Sequence, residues 1–365
     1  MSLMALHNSN NQASLQAVAS NGDLSVHLSS SVRPDQVRNL NLLPEQIESS
    51  PELMAYSQSF LEEFKFVRGG LRDSSWDELQ NKWSQFFNFC LSNGYKPLPA
   101  KHEVVFEYIK HRGKVLHRST LKRDMWAINR IHDAAGFREP CKDQAIRDFV
   151  KRVSEDQAAN GLFITQAEAL TSDDLNEVEQ LWLEMGTVMS LRDRAILGLM
   201  FCCLLRGSEL RNVKFGHVNK KNQKLLIPIT KTNHSGKPDI APINSKAMKW
   251  LNDYIAAAGD FSEDDYLFRG TTSFGKITKS GKKQMSHSTL VRVFERAFEI
   301  VAYRKKGLKK FSCHSARVGC CQALWAAGVK IERIMKLGRW ATEEMAYRYG
   351  RDFIIEDDAL DMVMG

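Results

Sequence analysis

The chain has 365 residues, 43% hydrophobic and 26% charged, with a net charge of +8. That length exceeds what one compact core usually holds, so two domains are expected, and no run of about 18 apolar residues offers a membrane span. The positive charge and a pI near 9.0 suit a polyanionic partner.

The N-terminus shows no basic stretch followed by an apolar core, so no secretory leader is expected. Residues 1–45, rich in Ser, Asn and Gln without periodicity, read as a disordered arm. Residues 46–155 read as a helical domain. There Trp76, Leu79, Trp83, Phe86, Phe87 and Cys90 share one apolar face, and Asn93-Gly94 with Pro97 and Pro99 ends it. In HRSTLKRDMWAINRIHDAAGF, Ser119 is the expected N-cap and Gly136 the stop. Leu121, Ile128 and Ile131 face inward; Lys122, Arg123 and Arg130 face out. Residues 156–172, polar and containing Asn160-Gly161, read as a linker to a second domain at 173–365.

Thr171 and Asp174 form a capping box for the next helix. AILGLMFCCLL (195–205) is apolar on every side, as in a helix at the centre of a domain. KLLIPITKTNHSGKPDIAPI reads as a β-hairpin that turns at His234-Ser235-Gly236, with Lys231 near the tip. Helical text resumes near Ser286 and runs almost to the end. The fold class is therefore mainly α, with a small antiparallel β-sheet in the second domain. The seven cysteines lack regular spacing, and Cys202, Cys203, Cys320 and Cys321 lie in apolar runs. They read as reduced thiols of an intracellular protein, and no CxxC or HxxxH pairing suggests a metal site.

Three places carry chemistry. Arg206 directly follows the apolar run, with Glu209 on the same helical face; this is either an ordinary surface pair or a held charge. His314 and Arg317, in FSCHSARVG, project from one face of a helix start that favours an anion, although a capped helix end would look the same. Trp340, Tyr347 and Tyr349 lie in GRWATEEMAYRYGR. Gly338, Gly350 and the Glu343–Glu344 pair there argue against one continuous core helix, and either tyrosine could simply pack.

Taken in order, this series resembles the tyrosine site-specific recombinases of the λ-integrase family, and within them the Cre group of phage and plasmid recombinases. The matching strings are LLRGSEL (Arg206, Glu209), ITKTN (Lys231), HSARVG (His314, Arg317), GRW (Trp340) and YRYGR (Tyr349). WDELQNKWSQFFNFCLSNGYKPLPA and STLKRDMWAINRIHDAAG look like the group's N-terminal helical domain, so the likeness spans residues 50–365.

The resemblance implies a two-domain, C-shaped clamp around DNA that cleaves and rejoins strands through a covalent 3′-phosphotyrosine, without metal, ATP or other cofactor. Tyr349 would be the nucleophile by its spacing from Trp340, leaving Tyr347 to packing. Arg206 and Arg317 would clamp the phosphate oxygens, and Trp340 would donate its indole N–H to one. His314 would act as base, Lys231 as the acid for the leaving 5′-oxygen, and Glu209 would hold Arg206 or His314. Thr120, Lys122 and Arg123, with His287 and Ser288, match helices that enter major grooves; they would touch bases or phosphates only. The implied partner is double-stranded DNA with an inverted-repeat site, bound by one dimer per site and a homotetramer on two synapsed sites. No membrane is implied, and the expected location is the bacterial cytoplasm, on nucleoid DNA. The C-terminal DFIIEDDALDMVMG would dock into a neighbouring subunit or fold back on its own domain. Integration and dimer resolution use the same residues. A DNA-binding regulator without cleavage is the rival from another class, and the N-terminal likeness argues against a type IB topoisomerase.

Overall fold

A computed structural model of the chain describes residues 16–20, 23–27, 33–67, 70–163, 165–228, 237–272 and 276–355. The chain divides into two compact units, Met1–Ile164 and Thr165–Gly365.

The first unit holds strands β1 (Gln16–Ser20) and β2 (Asp23–His27), paired antiparallel. Its helices are α1 (Pro34–Leu40), α2 (Pro44–Glu48), α3 (Pro51–Val67), α4 (Asp73–Ser92), α5 (His102–Gly113), α6 (Arg118–Ala134) and α7 (Gln144–Ala159). The α4 stripe buries Trp76, Leu79, Phe86 and Cys90, and α6 buries Leu121, Ile128 and Ile131. Asp124, also buried on α6, accepts from Arg112 of α5 (3.0 Å) and pairs with Lys82 of α4 (3.2 Å), tying three helices through one carboxylate. The cap of α6 differs from expectation. His117 is the N-cap, its Nδ1 accepting from the Ser119 N–H (3.2 Å).

The expected arm at 1–45 is structured in its described part, with the β1–β2 pair and, from Pro34, α1. Proline at the first turn starts α1 without losing a needed N–H, and Val37 is buried against the α6 end. Gly136 makes this approach possible. Its φ is +81°, and a Cβ there would lie 2.0 Å from the Pro34 carbonyl oxygen.

The second unit contains α8 (Ser172–Met185), α9 (Val188–Cys202), α10 (Gly207–Arg211), β3 (Val218–Asn219), β4 (Lys224–Ile227), β5 (Asp239–Pro242), α11 (Ser245–Ala258), α12 (His287–Arg304), α13 (Ser315–Ala326), α14 (Ile331–Gly338) and α15 (Glu343–Ile355). The sheet is antiparallel in the order β3-β4-β5. The β4–β5 pair is the expected hairpin; Lys231 and the turn residues lie outside the described residues. Helix α9 is the axis of the core, with α8, α11, α12 and α13 burying Trp182, Trp250, Phe294 and Ala316 around it. Thr171 and Asp174 form the expected capping box, at 3.2 and 3.0 Å.

The expected linker at 156–172 is shorter than its composition suggests. Helix α7 runs to Ala159. Leu170 is buried, and its N–H donates to the Ser315 carbonyl (3.0 Å), so this stretch packs with the second unit. All seven cysteines are free thiols, and all except the half-buried Cys202 are buried. Among the described residues no helix is long and apolar enough to cross a membrane.

His132 gives the first unit a pH dependence. It is fully buried, and its Nε2 accepts from the Ala100 N–H (2.9 Å), which places the ring proton on Nδ1, donated to the Ile128 carbonyl (2.8 Å). Burial lowers its pKa from 6.5 to about 4, against the Ile128 bond, which favours the cation. The unfolded chain therefore takes up this proton first as pH falls. The stabilisation is complete above pH 6.5 and is lost on descending to about 4. Urea unfolding should show a loss on the order of 3 kcal/mol over that window that His132→Gln removes; an identical pH profile in the variant would assign the effect elsewhere.

Candidate active site

The site begins where α9 stops. Helix α9 ends at Cys202, short of the 195–205 run, and Leu204 turns into the left-handed region at φ +46°. A leucine rarely adopts that conformation, and it persists only where its surroundings demand it. Here they do: the Leu204 carbonyl accepts from both Arg317 Nη1 and Arg339 Nη2. The turn sends Arg206 to the N-cap of α10, so Arg206 opens a second helix and does not close the first.

Glu209 lies in the first turn of α10 and is 2% exposed. Its Oε2 accepts from the Arg206 backbone N–H (2.9 Å) and from Arg339 Nη2 (2.9 Å), and its Oε1 from Arg206 Nη1 (2.6 Å). Burial pushes this carboxyl up; Arg339 first, then Arg206, outweigh it and hold the pKa below the ordinary range. Glu209 is thus an ionised, fully partnered carboxylate.

Arg317 sits in the first turn of α13, 1% exposed. Its Nη1 donates to Leu204 and its Nη2 to the Gly338 carbonyl (2.5 Å). The guanidinium carbon lies 4.7 Å from the Trp340 ring centre and 5.8 Å from that of Tyr349. Those two rings stack at 5.2 Å and 18°. Burial, then the nearby Arg206 charge, lowers the Arg317 pKa to about 10, so it remains a cation near neutrality. Arg317 Nε and Trp340 Nε1 have no hydrogen-bond partner among the described residues.

Arg339, left-handed at φ +54°, ends α14 and sets Trp340 apart from that helix. Tyr349 follows on α15, half-buried, its carbonyl accepting from Gln166 Nε2 (3.1 Å). Tyr347, 46% exposed, instead stacks on Trp325 at 5.5 Å. Gly350 does not break α15. It brings α15 onto α13, where a Cβ would lie 2.4 Å from Trp325 Nε1.

The structure therefore gathers Arg206, Glu209, Arg317, Trp340 and Tyr349. His314 is exposed at the N-cap of α13, one turn before Arg317, with its backbone N–H donated to Ser312 Oγ (3.2 Å). In the first unit, Lys122 and Arg123 are exposed on α6 and Thr120 is half-buried; Arg123 Nη1 pairs with Glu78 (3.4 Å). His287 and Ser288 are exposed at the start of α12. Two residues escaped the reading of the sequence. Arg339 had a signal, a charge wedged between Gly338 and Trp340. Gln166, in a polar stretch, had none.

A model of the phage integrase family matches residues 170–353. The chain belongs to this family. Among curated relatives of this phage integrase family member, recombinase cre of Escherichia phage P1 is 24% identical over 302 residues, 80% of this chain and 88% of the relative. An integrase/recombinase xerD homolog of Selenomonas ruminantium is 24% identical over 297 residues, 76% and 82% of the two chains. The chain is a tyrosine recombinase. The Tn1549 transposon integrase, solved with transposon right-end DNA, shares the fold with a TM-score of 0.57 at 14% identity, covering 80% of this chain and 94% of that one. XerH recombinase, solved on a palindromic difH substrate, does so with a TM-score of 0.52 at 13% identity, covering 73% and 72%.

For this family member the cluster offers a buried cation stacked on two aromatic rings, beside a second arginine held by a carboxylate. Such a constellation suits an oxyanion. Its geometry depends on the α13–α15 contact. Gly350→Ala should therefore displace Trp325, shift its fluorescence and lower stability by about 1–3 kcal/mol; an unchanged spectrum and melting curve would show that the contact is not tight.

Proposed function

We propose that this tyrosine recombinase performs site-specific DNA strand cleavage and rejoining through a covalent 3′-phosphotyrosine at Tyr349, by way of a Holliday junction. The observation that carries the reading is the Arg317 guanidinium lying over the stacked Trp340 and Tyr349 rings, with Arg206 alongside. A phosphodiester repels nucleophiles, and its charge grows toward the pentavalent transition state. Arg206 and Arg317, both cations at working pH, bind the non-bridging oxygens, and the Trp340 Nε1–H donates to one of them. These guanidiniums supply the charge stabilisation that a metal would otherwise bring.

An unperturbed tyrosine ionises only near pH 10, so the attacking phenol must give up its proton during the reaction. His314 takes that proton. Lys231, on the β4–β5 connection, protonates the departing 5′-oxygen. Glu209 keeps Arg206 in place. The phosphotyrosine retains the energy of the broken bond, so the 5′-hydroxyl of a partner strand can reverse the step without ATP.

The partner is duplex DNA with an inverted-repeat site, with a dimer on each site and a homotetramer on two synapsed sites. Thr120, Lys122 and Arg123 on α6 and His287 and Ser288 on α12 face that DNA. The DNA-bound structures of the Tn1549 integrase and XerH support a nucleic-acid partner. A cytoplasmic location on chromosomal or plasmid DNA suits this activity.

Incubation with DNA fragments from the source replicon, followed by denaturing electrophoresis, tests the reading. The wild-type chain and Tyr347→Phe should form a covalent protein–DNA adduct, while Tyr349→Phe should lower it by at least about a thousandfold. An adduct that survives Tyr349→Phe and disappears in Tyr347→Phe would reverse the assignment.

A further inference from the structure

Arg339 donates four of its N–H groups: Nη1 to the Cys203 and Leu337 carbonyls (3.0 and 3.2 Å), Nη2 to the Leu204 carbonyl and Glu209 Oε2 (both 2.9 Å). Its side chain is 8% exposed. Both terminal nitrogens are thus committed to the protein, and only Nε is without a partner among the described residues; the terminal fork acts through the groups it touches. We propose that Arg339 is a positioning residue that shares the charge of Glu209 with Arg206, so that the cluster of Arg206 and Arg317 keeps a net positive charge for the phosphate. The role rests on the proposed strand-cleavage reaction.

Charge bookkeeping carries it. Arg206, Arg317 and Arg339 bring three positive charges and Glu209 one negative, so the cluster holds a net +2 (3 − 1). With Arg339 removed the balance falls to +1 (2 − 1), and Glu209 becomes the counterion of Arg206 alone. A buried carboxylate with half its partners gone is costly, and its field opposes the incoming phosphate. The rival role for Arg339 is mechanical: a clamp on the Cys203, Leu204 and Leu337 carbonyls, indifferent to the Glu209 charge.

The two separate in a rescue experiment on the full-length chain. Single-turnover adduct formation and DNA affinity are measured for wild type, Arg339→Met, Arg339→Lys, Glu209→Gln and the double variant Arg339→Met/Glu209→Gln. Arg339→Met should slow adduct formation about 30-fold or more while DNA affinity changes less than about threefold. Removing the orphaned charge should bring the double variant to within about fivefold of Glu209→Gln alone. Arg339→Lys, which keeps the charge but not the fork, should be faster than Arg339→Met. A double variant as slow as Arg339→Met, or a lysine variant no better than methionine, would overturn the charge role. If methionine prevents folding, Arg339→Gln, which keeps a donor without the charge, takes its place, and a lysine variant no faster than glutamine overturns the charge role. A wild-type chain that forms no adduct on any target would instead overturn the strand-cleavage reading beneath it.

Discussion

The Leu204 carbonyl receives two guanidiniums, Arg317 and Arg339, which lie 113 and 135 residues further along the chain. Much of the second unit is arranged to make that meeting possible. Helix α9 must stop at Cys202, and Leu204 must accept a left-handed backbone that its side chain disfavours. The α13 start and the end of α14 must both come within reach of one oxygen. Buried arginines need acceptors, and a buried carbonyl past a helix end needs donors; each deficit here satisfies the other. The same turn that presents the carbonyl delivers Arg206 to the cap of α10 and Glu209 beneath it.

From this constraint the electrostatics follow. A single carboxylate, Glu209, lies among three arginines and stays ionised despite burial because Arg339 and Arg206 both bind it. Arg317 lies against both rings of the Trp340–Tyr349 stack, 4.7 Å from the indole centre and 5.8 Å from the phenol ring centre. Stacking orients a guanidinium without consuming its donors, and its Nε–H remains without a partner among the described residues. The proposed chemistry uses the Arg317 Nε–H and the Trp340 Nε1–H, neither of which has a partner among the described residues.

Much of the scaffold was legible because it depends on periodicity. The apolar stripes of α4 and α6, the apolar second half of α9 and the β4–β5 pair appear where the pattern places them, although α9 stops at Cys202 and begins earlier, at Val188, with Arg192, Asp193 and Arg194 buried. What was not legible depends on contacts distant in sequence. Leucine carries no mark of positive φ, so the break at Leu204 was hidden and Arg206 read as the end of the wrong helix. The 33–45 stretch looked structureless because its few apolar residues, Val37, Leu40 and Leu42, pack on a cluster that includes the end of α6, about a hundred residues on. Gly350 read as a helix break, yet its missing Cβ serves close packing against Trp325. The order of Arg206, Glu209, His314, Arg317, Trp340 and Tyr349 was readable as a family pattern. Arg339 and Gln166 were not, since both act on backbone carbonyls or on another side chain and belong to no pattern of spacing.

The central claim is that the Arg317-adjacent tyrosine of the stacked pair becomes joined to DNA. Mass spectrometry of the nucleotide-bearing peptide, after reaction with a nicked substrate that cannot religate, addresses it directly. The expected result is a nucleotide on Tyr349 through a 3′-phosphate, with Tyr347 unmodified. A nucleotide on any other residue, or a linkage through a 5′-phosphate, would contradict the account.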